Sequence, residues 1–312
     1  MQALAAGISY FDLNFQNHPR IIATAVLHDV TGVAIVDPGP SSTLPVLRET
    51  LGRAGIALSD VTAVLLTHIH LDHAGATGTL VAENPALRVY VHEKGAPHLI
   101  DPGKLVASAT RLYGDAMQRL WGEVKPVPAA ALTVLTGEPG ERVEAGGRRL
   151  AVAYTPGHAS HHVSYFSPET GIAFVGDTAG VKLQPGGYVL PPTPPPDIDL
   201  EAWRDSLARI EAWRPDSLFL THFGPSSPCD PHLAELREHI ELVAHVTRAS
   251  LERDGDDAER EQWFGEQVRR ELRRRGSEED AAAYQVAGRF DLSWRGLARY
   301  WRKKEPKTDA GA

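Results

Sequence analysis

Short apolar runs rich in β-branched residues alternate with amphipathic stretches over the first two thirds of the chain. Runs of this length predict buried strands, because helices are longer and show a helical spacing of their apolar residues. We expect strands within 20–29, 32–39, 61–70, 88–93 and 216–225, and hairpins within 141–157 and 161–178. The pattern therefore predicts a mixed α/β fold.

Amphipathic spacing predicts three helices between these strands, at 41–55, 101–124 and 199–215, the last of them capped by Asp199. After residue 228 the strand patterns stop, and highly charged helical sequence follows. We therefore predict a main domain over 1–228 and a helical extension over 229–312 that packs on it.

The segment 186–200, GGYVLPPTPPPDIDL, fits neither pattern. Its prolines exclude a helix interior and a central strand, because proline lacks the backbone N–H and fixes φ. The segment predicts either a stiff connection or a preordered wall beside a site.

Composition narrows the class of protein. The formal net charge of −8 argues against nucleic-acid binding, which depends largely on neutralising phosphates. No apolar run is long enough to span a bilayer, and residues 1–15 lack the pattern of a signal peptide. Cys229 is the only cysteine, which predicts a reduced thiol in the cytoplasm and no disulfide. Any metal must therefore be held by imidazoles and carboxylates.

The stretch LLTHIHLDHAG at 65–75 crowds such groups together directly after an apolar run. His68 and His70 are two positions apart, so they project to the same side if the strand continues through them. Asp72 and His73 follow from the turn. Four ligand-type side chains in six positions predict a metal site, because a buried imidazole cluster is otherwise costly to desolvate.

Three more ligand-type residues follow apolar runs in the same way. His158 comes after LAVAY, Asp177 after GIAFV and His222 after SLFL. Since α/β proteins place their chemistry at the carboxyl ends of strands, we expect these side chains to join the first group.

This set of residues resembles the metallo-β-lactamase fold superfamily over residues 20–225, with VDPG at 36–39 as the early aspartate motif. The resemblance implies a four-layer αβ/βα sandwich with the helical extension outside it, and a site for two divalent ions. It implies that His68, His70 and His158 bind one metal, that Asp72, His73 and His222 bind the other, and that Asp177 bridges them. It also implies that Asp37 supports a ligand histidine from behind.

The implied chemistry is hydrolysis. Nitrogen and oxygen ligands suit Zn²⁺ best, with iron or manganese as alternatives. Two ions that share a water lower its pKa to about 7 and so supply a bridging hydroxide. The resemblance makes Asp72 and Asp177 the catalytic carboxylates. Two divalent ions outweigh the negative charges of these two carboxylates and of the hydroxide, so the site keeps a net positive charge. That charge favours a small carbonyl substrate, which would be an ester, a lactone or a thioester.

The sequence is most similar to the lactonase-like and glyoxalase II-like branches of the superfamily. A mononuclear iron persulfide dioxygenase is the first alternative, since such enzymes share the fold. A phosphodiesterase or nuclease is the second, and the acidic composition argues against it. The protein is expected to act as a monomer or homodimer, without nucleic-acid or membrane partners.

Candidate pocket residues come from three segments. His161 and His162 lie on opposite faces if they continue a strand, and His161 is the one expected to face the site while His162 is structural. Tyr188 and the prolines of 186–200 would form an apolar wall. The helix predicted at 101–124, which carries Tyr113, Met117 and Trp121, would either form another wall of the pocket or pack on the core.

Overall fold

The computed structural model describes residues 1–304, in which the strands form two mixed sheets. The first sheet follows chain order, with antiparallel pairing between its first four strands and parallel pairing between the rest. Its strands are β1 (Gln2–Ala5), β2 (Ile8–Asp12), β3 (Ala23–Asp29), β4 (Gly32–Val36), β5 (Val61–Leu65), β6 (Arg88–His92) and β7 (Leu132–Leu135).

In the second sheet, too, neighbouring strands are consecutive in the chain. Their pairing is antiparallel except for one parallel pair, between the fourth and fifth strands along the chain. Its strands are β8 (Arg142–Ala145), β9 (Arg148–Tyr154), β10 (Val163–Ser167), β11 (Ile172–Phe174), β12 (Ser217–Leu220) and β13 (Gly224–Ser226).

The two sheets share one apolar core and are tied together at the end where the site lies. The backbone N–H of Ala23 donates to the carbonyl of Thr221 at 2.8 Å, and the N–H of Val163 donates to the carbonyl of Thr67 at the same distance. With helices on the outside of both sheets, the expected αβ/βα sandwich is confirmed.

Seven α-helices belong to the region before residue 229. They are α1 (Leu44–Arg53), α2 (Leu71–Ala74), α3 (Thr77–Glu83), α4 (Ala96–Ile100), α5 (Gly103–Tyr113), α6 (Met117–Trp121) and α7 (Leu200–Ala212). Helix α7 begins where the sequence predicts, since the carboxylate of Asp199 accepts the backbone N–H of Ala202 at 3.0 Å.

The rest of the described chain is helical: α8 (Cys229–Leu251), α9 (Asp257–Arg275), α10 (Glu278–Gly288) and α11 (Phe290–Lys304). Helix α11 packs on α8, where the indole N–H of Trp294 donates to Ser250 Oγ at 2.7 Å. Thr193 Oγ1 of the proline-rich segment donates to the carbonyl of Ser293 at 3.1 Å. The extension therefore holds that segment in place.

Three expectations about elements need correction. The strands β1 and β2 were not predicted. The single helix expected over 101–124 is broken at Gly114, whose φ of 51° lies in the left-handed region, so α5 and α6 are separate helices. The strand expected over 61–70 ends at Leu65. Among residues 1–304, no helix combines the length and apolar character needed to span a bilayer.

Candidate metal centre

The predicted ligand residues converge at one end of the sandwich, past the carboxyl ends of strands from both sheets. They come from the loop after β5 (His68 and His70), from α2 (Asp72 and His73), and from the segments after β9 (His158), β11 (Asp177) and β12 (His222). Residues that lie far apart in sequence therefore meet at one place in the fold.

The histidines His68 and His70 do not continue strand β5, so the expected strand alternation does not position them. The N–H of Leu66 still donates to the carbonyl of Tyr90 at 3.0 Å, but the carboxylate of Asp37 takes the hydrogen bonds of Thr67, the residue after it. Asp37 Oδ1 accepts the backbone N–H of Thr67 at 2.8 Å, and its Oδ2 accepts the Thr67 hydroxyl at 2.7 Å. The same carboxylate thus ends the strand and shapes the loop that carries the histidines.

Three overlapping groups of ligand atoms form, and within each group all the atoms lie within 4.8 Å of one another. The groups are His68, His70 and His158; His68, His73 and Asp177; and Asp72, His73 and His222. We call the first of these groups the imidazole half-site and the third the carboxylate half-site.

Asp177 lies between the two half-sites and directs one oxygen to each. Its Oδ2 is 3.4 Å from His158 Nε2 in the imidazole half-site. Its Oδ1 is 3.3 Å from His73 Nε2 and 3.6 Å from His222 Nε2 in the carboxylate half-site. Asp72 completes the carboxylate half-site, with Oδ2 3.4 Å from His222 Nε2.

Hydrogen bonds from behind orient most of the imidazoles. The Nδ1 atoms of His73, His158 and His222 lie 2.8, 2.8 and 2.6 Å from Asp37 Oδ2, the Pro192 carbonyl and the Ile21 carbonyl. Because these oxygens only accept, each Nδ1 donates, and the Nε2 lone pair is left to face the centre. His70 is turned the other way, with its Nδ1 3.0 Å from the Nε2 atoms of both His68 and His158.

Two atoms of the centre show that the protein side chains alone do not satisfy it. His73 Nε2 and Asp177 Oδ1 are buried and have no hydrogen-bond partner within residues 1–304. Leaving such groups unpaired is costly, and a cation among these nitrogen and oxygen atoms would satisfy both. The residues therefore fit a divalent metal.

The electrostatics of the two half-sites differ. Burial lowers the pKa of His68 and of His70, and neighbouring imidazoles lower both further. Burial also opposes protonation of His73 and His222, but Asp177 and Asp72 overcome it and raise the pKa of both. Proton binding is therefore disfavoured in the imidazole half-site and favoured in the carboxylate half-site.

A cavity of about 590 Å³ opens beside this centre. Its lining includes His70, Asp72, His158, Asp177 and His222, and otherwise it is mainly apolar. Most of the apolar part comes from three segments: α5 and α6 (Leu105, Leu112, Tyr113 and Trp121), the proline-rich segment (Pro192, Pro194, Pro195 and Pro196), and the end of α10 and start of α11 (Val286, Ala287 and Leu292).

Of the two predicted pocket residues, the structure places His161 in the cavity lining and Tyr188 outside it. Burial lowers the pKa of His161 to about 3, with further contributions from His158 and His98. The prediction for Tyr188 was wrong because its ring stacks on His239 of α8, with 3.7 Å between ring centroids. The prolines that follow Tyr188 do line the cavity, as do Tyr113 and Trp121, but Met117 does not.

The sequence did not indicate two parts of the lining. Phe15 and Ile22 come from the loop between β2 and β3, and Gln285 to Leu292 come from the helical extension. Their apolar residues look like ordinary core positions in the sequence, so no signal there would have assigned them to the cavity.

The family model of the metallo-beta-lactamase superfamily matches residues 19–222, more than half of the chain. The chain therefore belongs to the metallo-beta-lactamase superfamily. Among solved structures, the metallo-beta-lactamase family protein TTHA1429 from Thermus thermophilus is similar with a TM-score of 0.71 and 22% identity, over 97% of this chain and 95% of that one. The archaeal protein ST1585 from Sulfolobus tokodaii is similar with a TM-score of 0.63 and 22% identity, over 93% of this chain and 98% of that one.

Curated relatives agree with this placement. The chain is 31% identical over 188 residues to the metallo-beta-lactamase fold-containing protein ST1585 of Sulfurisphaera tokodaii, which covers 59% of this chain and 69% of that protein. It is 29% identical over 150 residues to a hydroxyacylglutathione hydrolase of Synechococcus sp., and the match covers 48% of this chain and 45% of that protein. The chain spans less than half the length of the hydroxyacylglutathione hydrolases that it matches. These findings support a metal-dependent hydrolase.

Proposed function

We propose that this protein is a dinuclear hydrolase that holds two divalent ions, Zn²⁺ in both positions, and cleaves a small ester, lactone or thioester. In this proposal His68, His70 and His158 hold one ion and Asp72, His73 and His222 hold the other. The single observation that carries the proposal is the position of Asp177, whose two oxygens face opposite half-sites.

The bound ions would supply two things: a shared water with a pKa lowered to about 7, and positive charge for the carbonyl oxygen. The residues of the chain set up the conditions for that chemistry. Asp177 and Asp72 provide the negative charge that holds two cations close together. Asp37 fixes the ring of His73 from behind, and the Pro192 carbonyl fixes that of His158.

The cavity supports an apolar group on the substrate. Leu105, Leu112 and Trp121 on one wall and Pro194 to Pro196 on another present carbon atoms to its interior. Burying an apolar acyl or aryl group there contributes about 25 cal/mol for each Å² removed from water. Both walls line the cavity that opens beside the metal centre. An acyl group held between them would bring its carbonyl carbon to the site of attack.

Relatives support the reaction class without deciding the substrate. Several are hydroxyacylglutathione hydrolases, which favours ester-type or thioester bonds over phosphodiesters. A small carbonyl substrate also fits the acidic chain better than a nucleic acid does.

The experiment combines metal quantification with a substrate panel on the purified protein. We expect close to two equivalents of zinc per chain and turnover of aryl esters, lactones or thioesters. A phosphodiester and a β-lactam serve as comparison substrates and should be cleaved far more slowly. One equivalent of iron together with oxygen consumption on a persulfide, or a preference for the phosphodiester, would overturn the proposal.

A further inference from the structure

His161 lies on the cavity side of the metal centre without belonging to any of the three ligand groups. It follows His158 in the segment between β9 and β10 and is 8% exposed. Its ring is perpendicular to that of His70, with centroids 5.5 Å apart, and nearly parallel to that of His68, at 6.1 Å. It is therefore close to the imidazole half-site and open to the cavity.

The backbone decides which nitrogen of His161 carries the proton. The N–H of Ile69 donates to His161 Nδ1 at 3.4 Å. Since an amide N–H can only donate, this long hydrogen bond favours the tautomer in which Nδ1 is the unprotonated acceptor. A neutral imidazole with a bare Nδ1 carries its hydrogen on Nε2, and protonating Nδ1 would place two hydrogens against each other.

The Nε2–H group of His161 has no partner of its own within residues 1–304. The hydrogen bond from Ile69 is made at Nδ1 and is the one that the His161 ring makes to another residue of the described chain. His162 provides a contrast, since its Nδ1 pairs with Thr155 Oγ1 at 3.0 Å and it is completely buried away from the cavity lining. Of these adjacent histidines, His161 alone can present a donor to a bound molecule.

We propose that His161 is a further catalytic residue, which donates a hydrogen bond from Nε2 to the substrate carbonyl oxygen as that oxygen gains negative charge. The inference rests on the proposed ester-type hydrolysis. His161 keeps its proton throughout, so it adds no step to the reaction, in which water and an ester-type bond give an acid and the leaving group. A fixed donor of this kind acts mainly in the transition state, where the charge is largest.

The kinetic test compares three variants on an aryl ester and an alkyl ester. His161→Ala should lower kcat by about 100-fold with little change in KM, as expected for loss of one oxyanion donor. His161→Gln should recover most of the activity, because its amide nitrogen reaches the position of Nε2. His28→Ala, at an exposed strand position, is the matched control and should behave as wild type. Metal content is measured for each variant and should not change.

The second readout is the tautomer itself, seen by two-bond ¹⁵N–¹H correlation in zinc-loaded protein with labelled histidine. Comparison with His161→Gln identifies the signal, and we expect a protonated Nε2 and a bare Nδ1. A protonated Nδ1, or an undiminished kcat in His161→Ala, would overturn the inference while leaving the proposed function intact. A wild-type protein that cleaves no ester, lactone or thioester would overturn both.

Discussion

The imidazole half-site and the carboxylate half-site share Asp177 and lie within a few ångströms of each other, yet they hold protons differently. His68 and His70 are buried among other imidazoles, and the pKa of each falls. His73 and His222 are just as buried but face Asp177 and Asp72, and the pKa of each rises. Burial alone does not set the charge state of an imidazole, since the neighbouring groups decide it.

This difference has a consequence for metal loading. The imidazole half-site offers neutral nitrogens that need lose no proton before they bind a cation. The carboxylate half-site has stronger electrostatic attraction for a cation, but its histidines must first release protons. Metal binding to the carboxylate half-site should therefore depend more strongly on pH than metal binding to the imidazole half-site.

The largest effect is expected from Asp177→Ala, which removes the carboxylate common to both half-sites. Metal content should fall at both positions. Activity should fall by more than the roughly 100-fold that loss of a supporting hydrogen-bond partner costs. Metal analysis and kcat/KM on an aryl ester measure the result, and full metal content with normal turnover would refute the bridging role.

Next in size are substitutions that remove one half-site at a time. His70→Ala should empty the imidazole half-site and Asp72→Ala the carboxylate half-site, each with loss of about one of two equivalents of metal. Native mass spectrometry counts the ions on each variant. If either variant lost both ions or neither, the two half-sites would not be separable units.

A smaller effect is expected from Asp37→Asn, which keeps the shape of the side chain but removes its charge. His73 Nδ1 and the hydroxyls of Thr67 and Thr221 all pair with Asp37 Oδ2. Metal affinity of the carboxylate half-site should fall by about 10- to 100-fold. Competition with a chelator measures this, and an equal loss at both half-sites would contradict the assignment.

The pH dependence should also separate the half-sites. Below the raised pKa values of His73 and His222, a metal must displace protons, so its affinity for the carboxylate half-site should fall by about tenfold per pH unit for each proton displaced. The imidazole half-site, with lowered pKa values, should keep its affinity to lower pH. Zinc titrations at several pH values check this prediction.

Catalytic activity should also fall below about pH 6, because ligand histidines must be neutral to bind metal. Activity that stays flat to pH 4.5 would contradict a site held by histidines.

The smallest effect is expected from Leu112, an apolar residue of the α5 wall of the cavity that belongs to neither half-site. Leu112→Ala shortens this wall and leaves part of an apolar acyl group exposed to water. We expect kcat/KM for an apolar acyl ester to fall by about fourfold for each substrate methylene exposed in this way, with both metals retained. Tyr188→Phe is the control, because its ring stacks on His239 outside the cavity. Equal decreases in the two variants would mean that the cavity does not hold the acyl group.

The apolar runs of the sequence predicted a mixed α/β fold, and the resemblance to the metallo-β-lactamase fold superfamily implied the αβ/βα sandwich. The members of the centre were predicted from one kind of signal, an apolar run that ends in a ligand-type residue. That signal works because strand ends are local features, readable in a few residues around His158 or His222. The prediction for Tyr188 came instead from the proline-rich segment, and it failed because the sequence cannot show that helix α8 lies beside that ring. Neither signal indicated Phe15 and Leu292 in the cavity lining, because their positions there depend on long-range packing.

The hydrogen bond between His158 Nδ1 and the carbonyl of Pro192 joins the proline-rich wall directly to a residue of the centre. Within residues 1–304, the walls from α5 and α6 and from α10 and α11 make no such bond to these residues. Over evolution, changes around Pro192 would therefore alter the metal centre as well as substrate choice, whereas the wall from α5 and α6 is free to diversify. New specificities in proteins built on this plan should arise first in those helices.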